Sequence, residues 1–335
     1  MRPSRVPLFA VALLLLVAAA CSGKQREPKP SPSPSPGLAP GPSPSPSPGP
    51  TPTPTPTPTP PAPGKPLRVG VTMHPYYSWT ANIIAGLPDV TLVAVLPGEV
   101  DAGDYQPAPD DIAKIRDLDA IVVNGLGHDA FIGDMIKASG NDHLTVIDAN
   151  AETPTVPFTH GTEANSHTFI SFTNAIQETG YIARKLGELR PALADRFETN
   201  AQTYIGRLRA IRAAAADKLA NAKIKKVVTV HDGYAYLLAE FGIELAGVVQ
   251  PAHGLTPSAA ELTDMIELMK AKGVTVVLTE ETFPQRLLDT LQAATHAKVY
   301  IISHVAVGTY APDEYERVMQ RNADVLVKAL VTDPT

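Results

Sequence analysis

"VGVTMHPYYSW" (residues 69–79) and "VVTVHDGYAYL" (residues 227–237) decide the fold. Each runs from a β-branched strand into a histidine, His74 or His231, and continues with closely spaced aromatics. Two halves of one chain therefore open alike. Around the first lie the strand candidates "LRVGVT" (67–72), "VTLVAVL" (90–96), "DAIVVN" (119–124) and "LTVID" (144–148). Around the second lie "KVVTV" (226–230), "IELAGVV" (243–249), "VTVVLTE" (274–280) and "KVYIIS" (298–303). Helical periodicity fills the gaps, as in "SAAELTDMIELMKAKG" and "PQRLLDTLQAATH". Strand–helix alternation of this kind predicts parallel sheets covered on both faces. Between the halves, Leu193, Phe197, Ala201, Tyr204, Leu208, Ile211, Ala215 and Leu219 recur at steps of three and four. That stripe predicts one helix of about 40 Å. The expected fold class is α/β, with two lobes, each a four-stranded mainly parallel sheet flanked by helices. Their expected bounds are 67–190 and 223–335, with one long connecting helix over 191–222.

The N-terminus reads as something other than fold. Arg2 and Arg5 precede an apolar run, Leu8 to Ala20, that ends in small residues before Cys21. This is the n-region, h-region and cleavage zone of a signal peptide over 1–20. The run is shorter than a membrane span requires. Residues 21–66 are rich in Pro, Ser and Thr, and the "SPSPSP" and "TPTPTPTP" repeats build no core. An extended stalk is expected there, reaching on the order of 100 Å at about 3.1 Å per residue. Cys21 is the only cysteine, which excludes an intramolecular disulfide and any thiolate metal site. The net charge of −6 and the lack of a basic cluster after the signal exclude nucleic-acid binding.

Ligands of open α/β sheets bind outside the carboxyl ends of the strands. His74 and His231 fall there by sequence alone. "IVVNGLGHDAF" (121–131) adds His128, and "VVLTEETF" (276–283) adds Glu280 and Glu281. His167 lies in "NSHTFISFTNAIQETGYIARKL" (165–186), at the head of an apolar helical face that Asn165 or Ser166 is placed to cap. The loop "PGEVDAGDYQP" (97–107) carries Glu99, Asp101 and Asp104, carboxylates with no histidine among them. His253 reads as a loop residue, while His143, His160 and His296 sit in polar turns. His304, just past the last strand, is left outside the ligand set. No nucleophile–base pairing and no "HExxH" stretch is present, so neither a hydrolase nor a zinc peptidase is expected.

From residue 67 onward these motifs resemble the zinc/manganese solute-binding proteins of bacterial ABC importers. "NSHTF" resembles that family's "DPHAW" segment at His167, and "VTVHDGYAYL" its "VTSHxAYxYL" strand end at His231. "LTEETFPQRLLDTL" resembles its last glutamate strand at Glu280, with Pro284 where manganese-type members have an aspartate. "DAGDYQP" resembles the "DPHxYEP" loop, but Gly103 stands in the histidine's place. The resemblance implies metal ligands at His167 and His231, and strand-end position adds His74, the first choice, and His128 as the residues to take the absent role, giving a set of His74, His128, His167 and His231. Glu280, Glu281 and Asp104 are further candidates for the metal or its surroundings.

An imidazole set without thiolate suits Zn²⁺, and Mn²⁺, which prefers oxygen, is the alternative. "VAAAC" resembles a lipobox, with Ala18 where Leu is more frequent, and implies lipidation of Cys21. The implied protein is a monomeric, non-enzymatic receptor anchored outside the cytoplasm by lipid, delivering metal to an ABC permease. A surface adhesin or scaffold with a degenerate metal site is the alternative, motivated by Gly103 and the stalk.

Overall fold

The computed structural model describes residues 65–250 and 254–332. The expected signal segment, Cys21, nearly all of the stalk and His253 lie outside the described residues. The first half runs β1 (Leu67–Val71), α1 (His74–Ile83), β2 (Val90–Ala94), α2 (Pro109–Ile115), β3 (Ala120–Val123), α3 (Ile132–Ser139) and β4 (Thr145–Asp148). Two helices follow, α4 (Phe172–Leu189) and α5 (Ala194–Leu219). The second half runs β5 (Lys226–Thr229), α6 (Ala235–Glu240), β6 (Glu244–Val248), α7 (Ala259–Lys272), β7 (Val276–Thr279), α8 (Gln285–Thr295), β8 (Lys298–Ile301) and α9 (Glu314–Val327).

All eight expected strands form, and every pairing is parallel. The sheets share one order, β2-β1-β3-β4 and β6-β5-β7-β8. The inner strands β3 and β7 are buried along their whole length, as β-branched runs covered on both faces should be. In each sheet the order reverses between the first and third strands. That reversal opens a crevice at their carboxyl ends, the place where such sheets bind ligands.

The predicted connecting helix is α5, about 39 Å long at 1.5 Å per residue. Its stripe of Phe197, Ala201, Tyr204, Leu208, Ala215 and Leu219 is buried against α4 and α9. The last helix, α9, also reaches α1, where Trp79 meets Tyr315 edge-on at 5.1 Å. One hydrophobic core consequently runs from Val69 and Trp79, through α4 and α5, to Val227 of the second sheet and Leu238 of α6. A separate cluster containing Val228, Leu262, Met269 and Leu291 packs within the second half. The crevice thus stands on a frame whose halves share packed side chains.

Candidate metal centre

Three histidines come together at the crevice. His167, His231 and His304 are all buried, and each offers a ring nitrogen within 4.8 Å of the others'. Their ring centroids are 4.6 Å (His167–His231), 4.5 Å (His231–His304) and 5.0 Å (His167–His304) apart.

His231 leaves β5 in extended conformation (φ −122°, ψ 148°) and precedes a short 3₁₀ turn, Asp232–Tyr234. Gly233 in that turn gives the rings room. A Cβ there would lie 3.0 Å from His167 Cδ2 and from His231 Cε1 and Nδ1. His167 lies in the segment before α4 and is aimed by Asn165. Asn165 Oδ1 accepts from the His167 backbone N–H (3.0 Å) and lies 2.8 Å from its Nδ1. An oxygen already accepting an amide N–H accepts again from the ring, so the proton sits on Nδ1 and the lone pair on Nε2. Asn165 Nδ2 in turn donates to the Asp232 carbonyl (2.9 Å), linking the two ligand-bearing turns.

His304 follows β8, and its Nδ1 lies 3.0 Å from Asp101 Oδ2. The other oxygen, Oδ1, lies 3.0 Å from His128 Nε2 and accepts from the Gly103 N–H at 2.8 Å. His128 sits beside the three, 4.9 Å from the His167 ring, with Ser166 Oγ 3.5 Å from its Nδ1. Glu280 Oε1 accepts from the Tyr234 hydroxyl (3.2 Å) and stands 3.3 Å from His231 Nδ1, an electrostatic rather than hydrogen-bonding contact. A cavity of about 330 Å³ lined by Gly103, His128, Phe158, His167 and His231 opens onto the group.

Charge follows this geometry. Burial alone would raise the Asp101 carboxyl, but the two imidazoles outweigh it and hold it well below the usual carboxylate range. Burial likewise works to raise Glu280, and contact with His231 and the charge of His304 bring it below its ordinary value. For His304, burial favours the neutral ring, yet Asp101 first and Glu280 next raise its pKa above 6.5.

Of the histidines expected from sequence, His128, His167 and His231 are brought together and His74 is not. His74 stands in the first turn of α1, its Nε2 2.6 Å from the Thr309 carbonyl and its ring stacked on Tyr310 at 5.5 Å. His304 completes the group instead. Its signal in the sequence is that of a polar residue past a strand end, the same rule that marks His231. Among the carboxylates of the 97–107 loop, Asp101 reaches the imidazoles while Asp104 is exposed on the turn. Glu281 is exposed, and Glu280 is the one of that pair beside a ring. The cap of α4 is Ser171, which accepts from the Asn174 N–H, rather than Asn165 or Ser166. His167 therefore precedes the helix, and Asn165 serves to orient it.

Buried, oriented imidazoles flanked by two carboxylates form a nitrogen-rich donor set suited to a borderline transition-metal cation. On two parallel sheets sharing one crevice, they define a solute-binding protein. The chain belongs to the family described as zinc-uptake complex component A, periplasmic, whose model matches residues 69–329. It is 26% identical over 277 residues to the zinc-binding lipoprotein AdcA of Streptococcus pneumoniae, covering 78% of this chain and 55% of that protein. The chain thus spans about half the length of that relative. It is also 26% identical to the high-affinity zinc uptake system protein ZnuA of Bacillus subtilis, over 80% of this chain and 89% of the other. Among solved structures, the solute-binding protein FpvC of Pseudomonas aeruginosa in complex with Mn²⁺ is 40% identical, with a TM-score of 0.74. That match covers 80% of this chain and 99% of the other.

Proposed function

We propose that the protein captures a transition-metal ion, zinc in the first place, outside the cytoplasm and passes it to an ABC-type importer. The observation that carries this reading is the convergence of His167, His231 and His304, buried and each met by an oxygen at Nδ1. His128, adjacent to them, supplies the fourth imidazole of a tetrahedral set. Support also comes from the zinc named for the pneumococcal and Bacillus relatives. Manganese stays the alternative cargo, because FpvC was solved with Mn²⁺ and also with Ni²⁺. An oxygen-poor set favours zinc over manganese.

The role is binding and delivery without chemical conversion of a substrate. A lipid on Cys21 would hold the receptor at the membrane surface, consistent with the "lipoprotein" in the name of the pneumococcal relative. No helix among the described residues is long and apolar enough to cross a membrane. The cargo would be received by a permease, with the receptor acting as a monomer. The adhesin or scaffold alternative is not favoured, because the relatives are named for zinc uptake and zinc binding, and His128 and His304 lie at the crevice beside His167 and His231.

Titration of metal-free protein with zinc against a chromogenic chelator tests the reading. A dissociation constant tighter than micromolar is expected, lost in a His167→Ala/His231→Ala double variant. Weaker binding, or affinity unchanged in that variant, overturns it.

A further inference from the structure

We infer that Asp101 is the positioning residue of the metal centre, one carboxylate that aims two imidazoles from opposite halves of the fold and offsets the charge of the bound cation. The inference rests on the function proposed above and extends it to a residue that need not touch the metal.

Its two oxygens have separate partners. Oδ1 meets His128, on the turn after β3 of the first sheet, and Oδ2 meets His304, past β8 of the second. The carboxylate is itself fixed, because it caps the 3₁₀ turn Ala102–Asp104 and accepts from the Gly103 N–H. Deleting it would leave two buried ring N–H groups to find other acceptors, an expensive loss in a closed site. It would also release the rings that must hold their angle for metal to bind.

Charge points the same way. Four neutral imidazoles around a dication leave two positive charges in a buried pocket. An anionic oxygen 3.0 Å from each of two rings opposes that charge and strengthens the rings as donors. Of the three carboxylates on this loop, Asp101 is the one half-buried at 3.0 Å from two rings, while Glu99 and Asp104 are exposed and the charge of Asp104 also acts on His304.

The test uses the full folded protein. Asp101→Asn keeps the acceptor for Gly103 but turns an amide donor toward one ring. Zinc affinity should fall about 10- to 100-fold, the usual cost of losing such a partner of a metal-bound histidine. Asp101→Ala should lose at least as much. The visible d–d spectrum of the Co²⁺-loaded protein should change in both variants. Glu99→Gln removes a charge from the same loop and should leave affinity and spectrum unaltered.

Imidazole ¹⁵N spectra of the metal-free protein give a readout independent of loading. The proton should reside on His304 Nδ1 and His128 Nε2 in the wild type and redistribute in Asp101→Asn. Zinc affinity within threefold of wild type, with an unchanged Co²⁺ spectrum, in Asp101→Asn overturns the inference. If wild-type protein binds no zinc, the proposed function fails, and the metal-free spectra still decide whether Asp101 sets the two rings.

Discussion

His74 and His231 stand at the same place in two sheets of the same order, and only His231 faces the metal centre. The difference lies in the turn that each histidine enters. Met73 is extended, and α1 starts at once with His74 in its first turn and Pro75 beside it, where a missing N–H costs nothing. The helix carries the His74 ring round to Thr309 and Tyr310. His231 stays extended, and Gly233 leaves the space its ring shares with His167. The first-half counterpart of Gly233 is Tyr76, buried, whose hydroxyl accepts from Asn124 Nδ2 at 3.0 Å. A strand-end histidine is thus a ligand candidate only when the succeeding turn leaves its ring in the crevice.

His74 has a different role. It is one of several ties that fasten the segment after His304 to the first half. Gly308 N–H donates to the Gly98 carbonyl (2.8 Å), Tyr310 OH to Leu96 (2.8 Å), and Ser78 Oγ to Ala311 (2.8 Å). Val305, next to His304, has φ +67°, which a β-branched residue adopts only when its surroundings enforce it. The ties to the first half supply that enforcement.

The largest expected effect separates the two histidines directly. Zinc binding by a four-ligand site of about 10–16 kcal/mol assigns roughly 2.5–4 kcal/mol to each ligand. His231→Ala should therefore weaken zinc about 10²- to 10³-fold in a chelator competition, and His74→Ala less than about tenfold. Equal losses would erase the distinction. Next in size is a stability effect that leaves the site alone. Glu240 of α6, nearly fully buried, accepts from the Phe172 and Thr173 N–H groups and so caps α4 from the second half. Glu240→Ala should cost about 2 kcal/mol by denaturant unfolding, mainly a lost cap. Its Arg212 partner adds little because the guanidinium side chain is 44% exposed. Zinc affinity should hold in that variant.

Much of this architecture is legible in the sequence, for identifiable reasons. The strands are short β-branched runs buried on both faces, and their composition suffices. The α5 stripe is long enough that its period admits one reading. The start of α4 is not legible locally, because Glu240, distant in the chain, supplies acceptors that let the helix begin at Phe172 rather than near Asn165. His304 escapes a reading by motif because its direction depends on the returning 305–312 segment, and that path is set by contacts with α1 and the 97–107 loop. Which carboxylate of that loop enters the crevice is likewise decided by the Gly103 N–H that fixes Asp101.

Gly233→Ala sharpens the comparison by adding one methyl group where the two rings meet. Three ring atoms 3.0 Å away must shift, and overpacking of this kind costs about 1–3 kcal/mol. About a tenfold weakening of zinc is expected, in contrast to Glu240→Ala, where affinity holds. Unchanged affinity would show that the rings have slack, and that Gly233 does not distinguish the second turn from the first.

The smallest effect is in acid, where the two classes of histidine have opposite signs. Burial lowers the His74 pKa below 6.5, with the Thr309 carbonyl opposing. The unfolded chain therefore takes up that proton first, and stability is lost as pH falls from 6.5 toward the folded value. His304 is raised, so its pairing with Asp101 stabilises the metal-free protein fully below 6.5 and less as pH rises through the folded value. Zinc must displace that proton, so its affinity should begin to fall above pH 6.5 on acidification. His74→Gln keeps a donor for the Thr309 carbonyl and removes the titration. Unfolding midpoints of the metal-free variant, taken between about pH 5 and 8, should show a shallower acid loss than wild type, with zinc affinity within threefold. Parallel profiles would mean that His74 titrates no differently in the folded chain, and the contrast between its burial and the paired state of His304 would fall with them.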